Sequence, residues 1–199
     1  MRIEVDGLVL EIPDSVYAPS DDSLLLMKYS RKLRGRVLDI GCGCGIQALA
    51  NARANSENTV LGIDINEKAV ECSRYNALRN GIWNAAFMLS DLFESIPERE
   101  FDGMIFNPPY LPTAGDEKVA GPLNHAFDGG ADGRSVIDGF LYDFGRYLAE
   151  GGVLLLLHSE LNDVGKTVAN LEKKDFHASI LDSMSFFFEK LYVVEAKRR

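Results

Sequence analysis

No apolar run in the 199 residues approaches the roughly 18 that a membrane span requires. The opening Met1-Arg2-Ile3-Glu4 lacks the apolar core of a secretion signal. Cysteine is scarce, with Cys42, Cys44 and Cys72 alone. Two thiols flanking one glycine make no ordinary disulfide, and the C-x-x-C spacing of metal knuckles is missing. Read as reduced, small apolar fillers, they point to a cytoplasmic protein without a metal of its own. Basic residues are outnumbered, 21 against 30 acids for a formal charge of −9, and form no long stripe, which argues against a protein living on a phosphate backbone. The nearest approach to a patch, Lys28, Arg31, Lys32, Arg34 and Arg36, has the spacing of a helix's wet face and exit. What remains is a chain with 46% apolar residues, enough for one compact core. A single domain is expected over 1–199, with a hairpin and first helix in 1–34 and an α/β core in 35–199.

Periodicity orders the chain. Residues 2–5 and 8–12 alternate in polarity around Asp6-Gly7, which predicts a two-residue hairpin. The cap-forming cluster Ser20-Asp21-Asp22-Ser23 follows Pro19 and precedes Leu24, Leu25, Met27 and Leu33, so a helix starts there and ends by Gly35. Buried strands are predicted at 36–40, 59–63, 85–89, 102–106 and 153–157. Helices intervene at 46–55, after the Asn66 cap, and at 133–148, where Val136, Phe140, Leu141, Phe144 and Leu148 recur at a helical spacing that faces a sheet. A helix near 161–171 follows, then strands at 178–181 and 187–196 separated by a turn at Asp182-Ser183. Residues 111–132 have little periodicity and much Gly, Pro and Asp; so long a loop in a compact domain tends to bind or to cover something. The alternation implies a mainly parallel sheet with helices on both faces and an antiparallel end.

Ligands of such sheets bind beyond the carboxyl ends of the strands, near the point where strand order reverses. Polar residues stand there: Asp39 within the first predicted core strand, Asp64 ending the second, Asp91 after the third and Asn107 ending the fourth. Asn107-Pro108-Pro109-Tyr110 directly follows the apolar Met104-Ile105-Phe106. Both prolines fix their own φ and lack an N–H, so the corner is stiff. It offers the Asn107 side-chain oxygen and the Pro108 carbonyl as acceptors, with Tyr110 as a stacking face. Two acceptors at a rigid corner suit a planar NH2 group, whose delocalised lone pair makes it a poor nucleophile unless it is held in line with an electrophile. Asn-Pro-Pro alone is equally compatible with a strand that stops at a proline-rich loop.

The turn Gly41-Cys42-Gly43-Cys44-Gly45 lets the backbone pass beneath a ligand where a Cβ would intrude. Its glycine spacing departs from the dinucleotide fingerprint, since Ile46 stands at the sixth position, and this favours a nucleoside without a pyrophosphate. Asp64 could accept both ribose hydroxyls, Asp91 and the Leu92 backbone could receive an adenine amino group, and an acidic lining suits a cation such as a sulfonium. An NAD-dependent oxidoreductase fits less well, because no Tyr-x-x-x-Lys or catalytic His stands out; His125 and His158 read as ordinary loop and strand-end residues.

Taken in this order, these pieces resemble the class I S-adenosylmethionine-dependent methyltransferases with a Rossmann-like fold, in which Asn-Pro-Pro-Tyr marks methylation of a planar nitrogen. The run 16–26, Val-Tyr-Ala-Pro-Ser-Asp-Asp-Ser-Leu-Leu-Leu, and Phe127-Asp128-Gly129-Gly130-Ala131-Asp132-Gly133-Arg134 with Phe140 are similar to segments of the archaeal and eukaryotic branch of the HemK-type protein-glutamine methyltransferases. Ala18 departs from the branch, which commonly has a glutamate there. The resemblance implies a seven-stranded, mainly parallel sheet with an antiparallel final strand and a small N-terminal hairpin. It implies a donor site at Ser23, Asp39, Gly41, Gly43, Gly45, Asp64, Asp91 and Leu92, with the substrate amide on Asn107 and Pro108 beside Pro109 and Tyr110. The implied substrate is the glutamine of a Gly-Gly-Gln loop in a class I translation release factor, and the implied partner a small zinc-binding activator subunit that brings its own zinc. Two other readings stay open: methylation of exocyclic amines in DNA or RNA, and a nucleoside-binding protein without catalysis.

Overall fold

The computed structural model describes residues 1–97, 100–113, 122–187 and 189–199. Asp6 and Gly7, at φ 49° and 74°, close the turn between β1 (Arg2–Val5) and β2 (Leu8–Glu11), as the two-residue hairpin requires. Then come α1 (Asp21–Ser30), β3 (Arg36–Ile40), α2 (Ile46–Ala54), β4 (Thr59–Asp64), α3 (Glu67–Arg79), β5 (Ala85–Leu89) and β6 (Phe101–Phe106). The chain continues through α4 (Ser135–Asp143), β7 (Leu148–Ser159), α5 (Val164–Lys173), β8 (Phe176–Ser185) and β9 (Lys190–Arg198), with short 3-10 turns at Pro122–Ala126, Phe144–Arg146 and Glu160–Asn162. The expected loop at 111–132 has eight residues, 114–121, outside those described.

Among the described residues the main sheet has seven strands in the order β5-β4-β3-β6-β7-β9-β8. The first five are mutually parallel, and β9 runs antiparallel to both neighbours. Strand order therefore reverses between β3 and β6, which places Gly41 and Asn107 side by side at the carboxyl edge. Both faces of the sheet's centre are covered, so β3, β6 and the second half of β7 read as apolar runs whose alternate residues go to opposite cores, whereas β5 and β8 at the edges are partly exposed. Val37, Ile105 and Leu155 pack with the hairpin, α1, α2 and α3, whereas Leu38, Met104, Phe106 and Leu156 pack on the other side with Phe140 and Phe144 of the α4 segment. The Phe140 ring lies 4.8 Å from that of Phe106 and 5.2 Å from that of Phe144.

The hairpin is tied to α3 by two asparagines one helical turn apart. Asn80 pairs with the Val9 N–H and carbonyl at 2.9 and 2.8 Å, and Asn76 with those of Glu11 at 2.9 and 3.2 Å. The open edge of β2 is thereby satisfied by side chains instead of by another strand.

Three expectations need correction. The helix expected over 133–148 ends at Asp143, because Tyr147 and Leu148 are drawn into the sheet: the Phe101 N–H donates to the Tyr147 carbonyl at 2.7 Å and Phe101 pairs with Leu148. Leu148 is buried in either state, so its spacing did not distinguish them. The helix expected from 161 begins at Val164, since Asp163 adopts φ 53° and its side chain caps the Lys166 N–H. Asp182-Ser183 is no turn: β8 runs through it with a register shift between Ile180 and Asp182, and the connection to β9 lies after Ser185. The polarity of Asp182 has a different cause, because it accepts the Tyr29 hydroxyl from α1 at 3.0 Å.

Gly62 in β4 leaves space for an aromatic ring, since a Cβ built there would lie 2.5 Å from Phe87 and 3.1 Å from the Cys42 Cβ. Gly62→Ala is expected to destabilise the protein by about 1–3 kcal/mol through overpacking, read as a lowered urea midpoint with an unchanged m-value. An unshifted midpoint would mean that β5 moves aside freely.

Candidate active site

At the reversal point between β3 and β6 the carboxyl ends of β3, β4 and β6 open into a cavity of about 600 Å³. Its wall includes Ser23, Asp39, Gly41, Gly43, Asp64, Asp91, Leu92 and the corner Asn107-Pro108-Pro109-Tyr110. Gly45 is not part of that wall. A Cβ there would lie 3.0 Å from the Ser73 hydroxyl and 3.2 Å from Leu49, and its φ is +89°, so Gly45 serves the seat of α2 against α3. The reason for glycine at 41 and 43 also differs from the expected crowding. A Cβ at Gly41 would make ordinary contacts of 3.7 and 4.0 Å and one at Gly43 would meet nothing within 4 Å, but their φ values of +64° and +56° are ones that side-chain-bearing residues rarely adopt.

The turn is held from beneath. Asp64 ends β4 with each carboxylate oxygen on one backbone N–H, Gly43 at 2.9 Å and Asn66 at 2.8 Å. Each oxygen keeps a further lone pair for a hydroxyl donor. Asp39 is buried and accepts the Ala48 N–H at 3.0 Å, which fixes the first turn of α2 to β3. Cys42 and Cys44, within the turn, are buried free thiols, and burial pushes the Cys44 thiol up to about 12. Leu92 adopts φ 44°, with its carbonyl accepting the Ser90 hydroxyl at 2.8 Å, so the Asp91-Leu92 step is set by its own loop.

The Asn107 corner is held from two sides. Asn162 donates to the Tyr110 carbonyl at 2.8 Å, and Gly133 packs so closely on the same pair that a Cβ would collide with both. On the other side Asn107 Nδ2 donates to Asp22 Oδ2 at 2.9 Å. Asn107 Oδ1 is buried and has no hydrogen-bond partner. Leaving such an acceptor unpaired costs about 1–3 kcal/mol; Asn162 Oδ1 is in the same state, but only Asn107 belongs to the cavity wall, where a ligand's donor can be its partner. The motif's spacing revealed neither Asp22 nor Asn162. Asp22 was hidden in a cap-forming cluster, where it has the same side chain as the exposed Asp21 beside it.

Six acidic residues border the cavity, Asp22, Asp39, Asp64, Asp91, Asp128 and Glu189, and no Lys or Arg appears among its described wall residues. His125 also borders the cavity, closer to the site than its reading as a plain loop residue implied, whereas His158 is buried between the Ser159 carbonyl and the Thr167 hydroxyl. A phosphate would find no Lys or Arg among the described wall residues, but a sulfonium nucleoside would be matched: hydroxyl acceptors on Asp64, an acidic surround, an open glycine turn, and Asp91 and Leu92 in the wall for an adenine amino group. The residues present therefore fit S-adenosylmethionine.

Burial pushes Asp39 up to about 8, with the Ala48 N–H opposing and the nearby Asp64 carboxylate adding to the rise. Its folded value exceeds its unfolded one, so the ligand-free protein binds an extra proton between about pH 4 and 8 and loses that stabilisation as pH rises through about 8. Asp39→Asn, which can still accept the Ala48 N–H, is expected to raise the melting temperature of the ligand-free protein at pH 8 more than at pH 4 and to flatten the profile between them. An equal shift at both pH values would contradict the assignment.

Residues 20–175 match the family described as methyltransferase small domain. A Methanocaldococcus jannaschii protein, provisionally named a protein N5-glutamine methyltransferase, is 41% identical over all 199 residues and 100% of its own length. The release factor glutamine methyltransferase of Gloeobacter violaceus is 32% identical over 180 residues, covering 84% of this chain, which spans 62% of that longer protein. A chain from the E. cuniculi Mtq2–Trm112 complex, responsible for methylation of the eRF1 translation termination factor, superposes with a TM-score of 0.72 at 28% identity, covering 93% of this chain and 99% of that one. With a family match across most of its length and a full-length relative above 40% identity, the chain belongs to the small-domain methyltransferase family, among the HemK-type protein-glutamine methyltransferases.

Proposed function

We propose that the protein transfers the methyl of S-adenosylmethionine to the side-chain nitrogen of the glutamine in a Gly-Gly-Gln loop of a class I translation release factor. The observation that carries this reading is the buried, unpartnered Oδ1 of Asn107, a residue in the wall of an acidic cavity that fits a nucleoside. The roles of the relatives supply the macromolecule, since two of them act on release factors. The Mtq2–Trm112 neighbour further suggests a small activator subunit, and a zinc ion held by that subunit belongs to the proposal. The setting would be the cytoplasm, where translation ends.

S-adenosylmethionine supplies a methyl bound to a sulfonium and leaves as the neutral thioether. The work of this chain is orientation. Asn107 Oδ1 accepts one N–H of the substrate amide and the Pro108 carbonyl the other, which turns the nitrogen's remaining electron density toward the methyl. The bound donor would take up the electron pair of the broken S–C bond on its sulfur as the N–C bond forms. Positive charge develops on the nitrogen, where the two oxygens and the Asp22 carboxylate behind Asn107 stabilise it. The nitrogen then sheds one proton to solvent. Burial, with the Asp22 and Glu189 charges adding, pushes the Tyr110 phenol up and keeps it neutral, so it contributes a flat uncharged face.

The test is transfer of labelled methyl to a release factor, the same factor with its Gly-Gly-Gln loop changed to alanine, duplex DNA and total RNA. Label in the intact factor alone is expected, and label confined to nucleic acid would overturn the substrate. Asn107→Ala is expected to lower kcat by about 10²- to 10³-fold with donor affinity preserved, as for loss of one positioned electrostatic group. Asp64→Ala should instead weaken donor binding by about 1–3 kcal/mol in calorimetry. Wild-type turnover in the first variant or wild-type affinity in the second would remove the role assigned to that residue.

A further inference from the structure

Asp22 stands in the first turn of α1, 85 residues before Asn107 in the chain, and is only 5% exposed. Donors converge on both of its oxygens. Oδ2 receives Asn107 Nδ2 at 2.9 Å, and Oδ1 receives the Ser23 backbone N–H at 2.5 Å and the Ser23 hydroxyl at 3.0 Å. The Tyr17 hydroxyl lies 3.1 Å from each. A carboxylate accepts at both oxygens and donates from neither.

An asparagine amide has two ends of nearly the same shape, so packing alone does not choose between them. The partner's chemistry chooses. Facing an acceptor, Asn107 presents its NH2, and its carbonyl oxygen is turned to the opposite side, where it stands buried and unpaired. With the amide reversed, a donor would meet the incoming substrate, and a substrate NH2 would be repelled.

We infer that Asp22 is a positioning residue that fixes the polarity of the Asn107 amide and so makes the acceptor subsite selective for NH2-bearing substrates. This rests on the methyl-transfer reading above and adds to it the device that sets the selectivity. Tyr17 reinforces the arrangement, because desolvation and the Asp22 charge push its phenol up and keep it an O–H donor. A neutral amide in place of Asp22 could not serve both neighbours. Its single carbonyl would go either to the Ser23 N–H or to Asn107, leaving donor against donor at one of them or reversing the Asn107 amide.

The test compares wild type, Asp22→Asn, Asn107→Asp and the exchange variant carrying both substitutions, with kcat from labelled methyl transfer, donor affinity from calorimetry and folding from thermal melts. Each single variant is expected to lose about tenfold to a hundredfold in kcat, with donor affinity held within about threefold. The exchange variant is expected to recover at least about tenfold over the singles, because donor and acceptor have traded places and an acceptor oxygen still stands where Asn107 Oδ1 stood. If Asp22→Asn alone does not fold, the comparison of Asn107→Asp with the exchange variant gives the same answer. An exchange variant no more active than the singles, wild-type kcat in Asp22→Asn, or a loss confined to donor affinity would overturn the inference. A wild-type protein inactive on every amide and amine substrate would instead sink the methyl-transfer reading itself.

Discussion

One hydrogen bond, from Asn107 Nδ2 to Asp22 Oδ2, organises the chemistry of this fold. It joins the end of β6 to the start of α1, elements that are distant in sequence, and leaves the other end of the Asn107 amide, in a residue of the cavity wall, buried and without a donor. Everything around it limits movement. Pro108 and Pro109 stiffen the corner, Asn162 holds the Tyr110 carbonyl, and the Ser23 N–H and the Tyr17 hydroxyl anchor Asp22. Such rigidity is useful when the nucleophile is a resonance-stabilised amide, because the enzyme's main resource is geometry prepared before the substrate arrives.

The same region concentrates carboxylates where the sheet reverses. Burial pushes Asp39 up to about 8 and raises the largely buried Asp64 above its ordinary value, with backbone N–H groups offsetting part of the cost. A ligand-free cavity of this kind stores unfavourable electrostatics that a cationic nucleoside relieves on binding. Stability and affinity are thereby linked through the same side chains, a common compromise at functional sites. The positive-φ glycines belong to that compromise too, since they hold an open backbone ready for the ligand instead of a better-packed turn.

Much of this was legible in the residues, for identifiable reasons. The bounds of β3 and β5 coincide with the expected ones, because short apolar runs between turn residues leave little freedom. Asp6-Gly7 and Asn66 announced their turn and cap through side-chain chemistry alone. The failures occurred where tertiary contacts decide. Tyr147 and Leu148 leave a helical pattern to pair with β6, and Asp182 stays in a strand because α1 supplies a hydroxyl. Gly45 has the signature of its two neighbours but packs against α3, a difference that only the third dimension reveals. Asp22 escaped notice for the same reason, since its partner is 85 residues away and its sequence surroundings resemble any helix start.

The most direct measurement of the central claim is NMR of a substrate glutamine isotopically labelled at its side-chain nitrogen, bound to the protein together with S-adenosylhomocysteine. If the corner grips an NH2 group by two acceptors, both side-chain protons shift downfield and are protected from exchange with water. Two protons that exchange as they do in free solution would contradict the account, because the amide would then be methylated without being held.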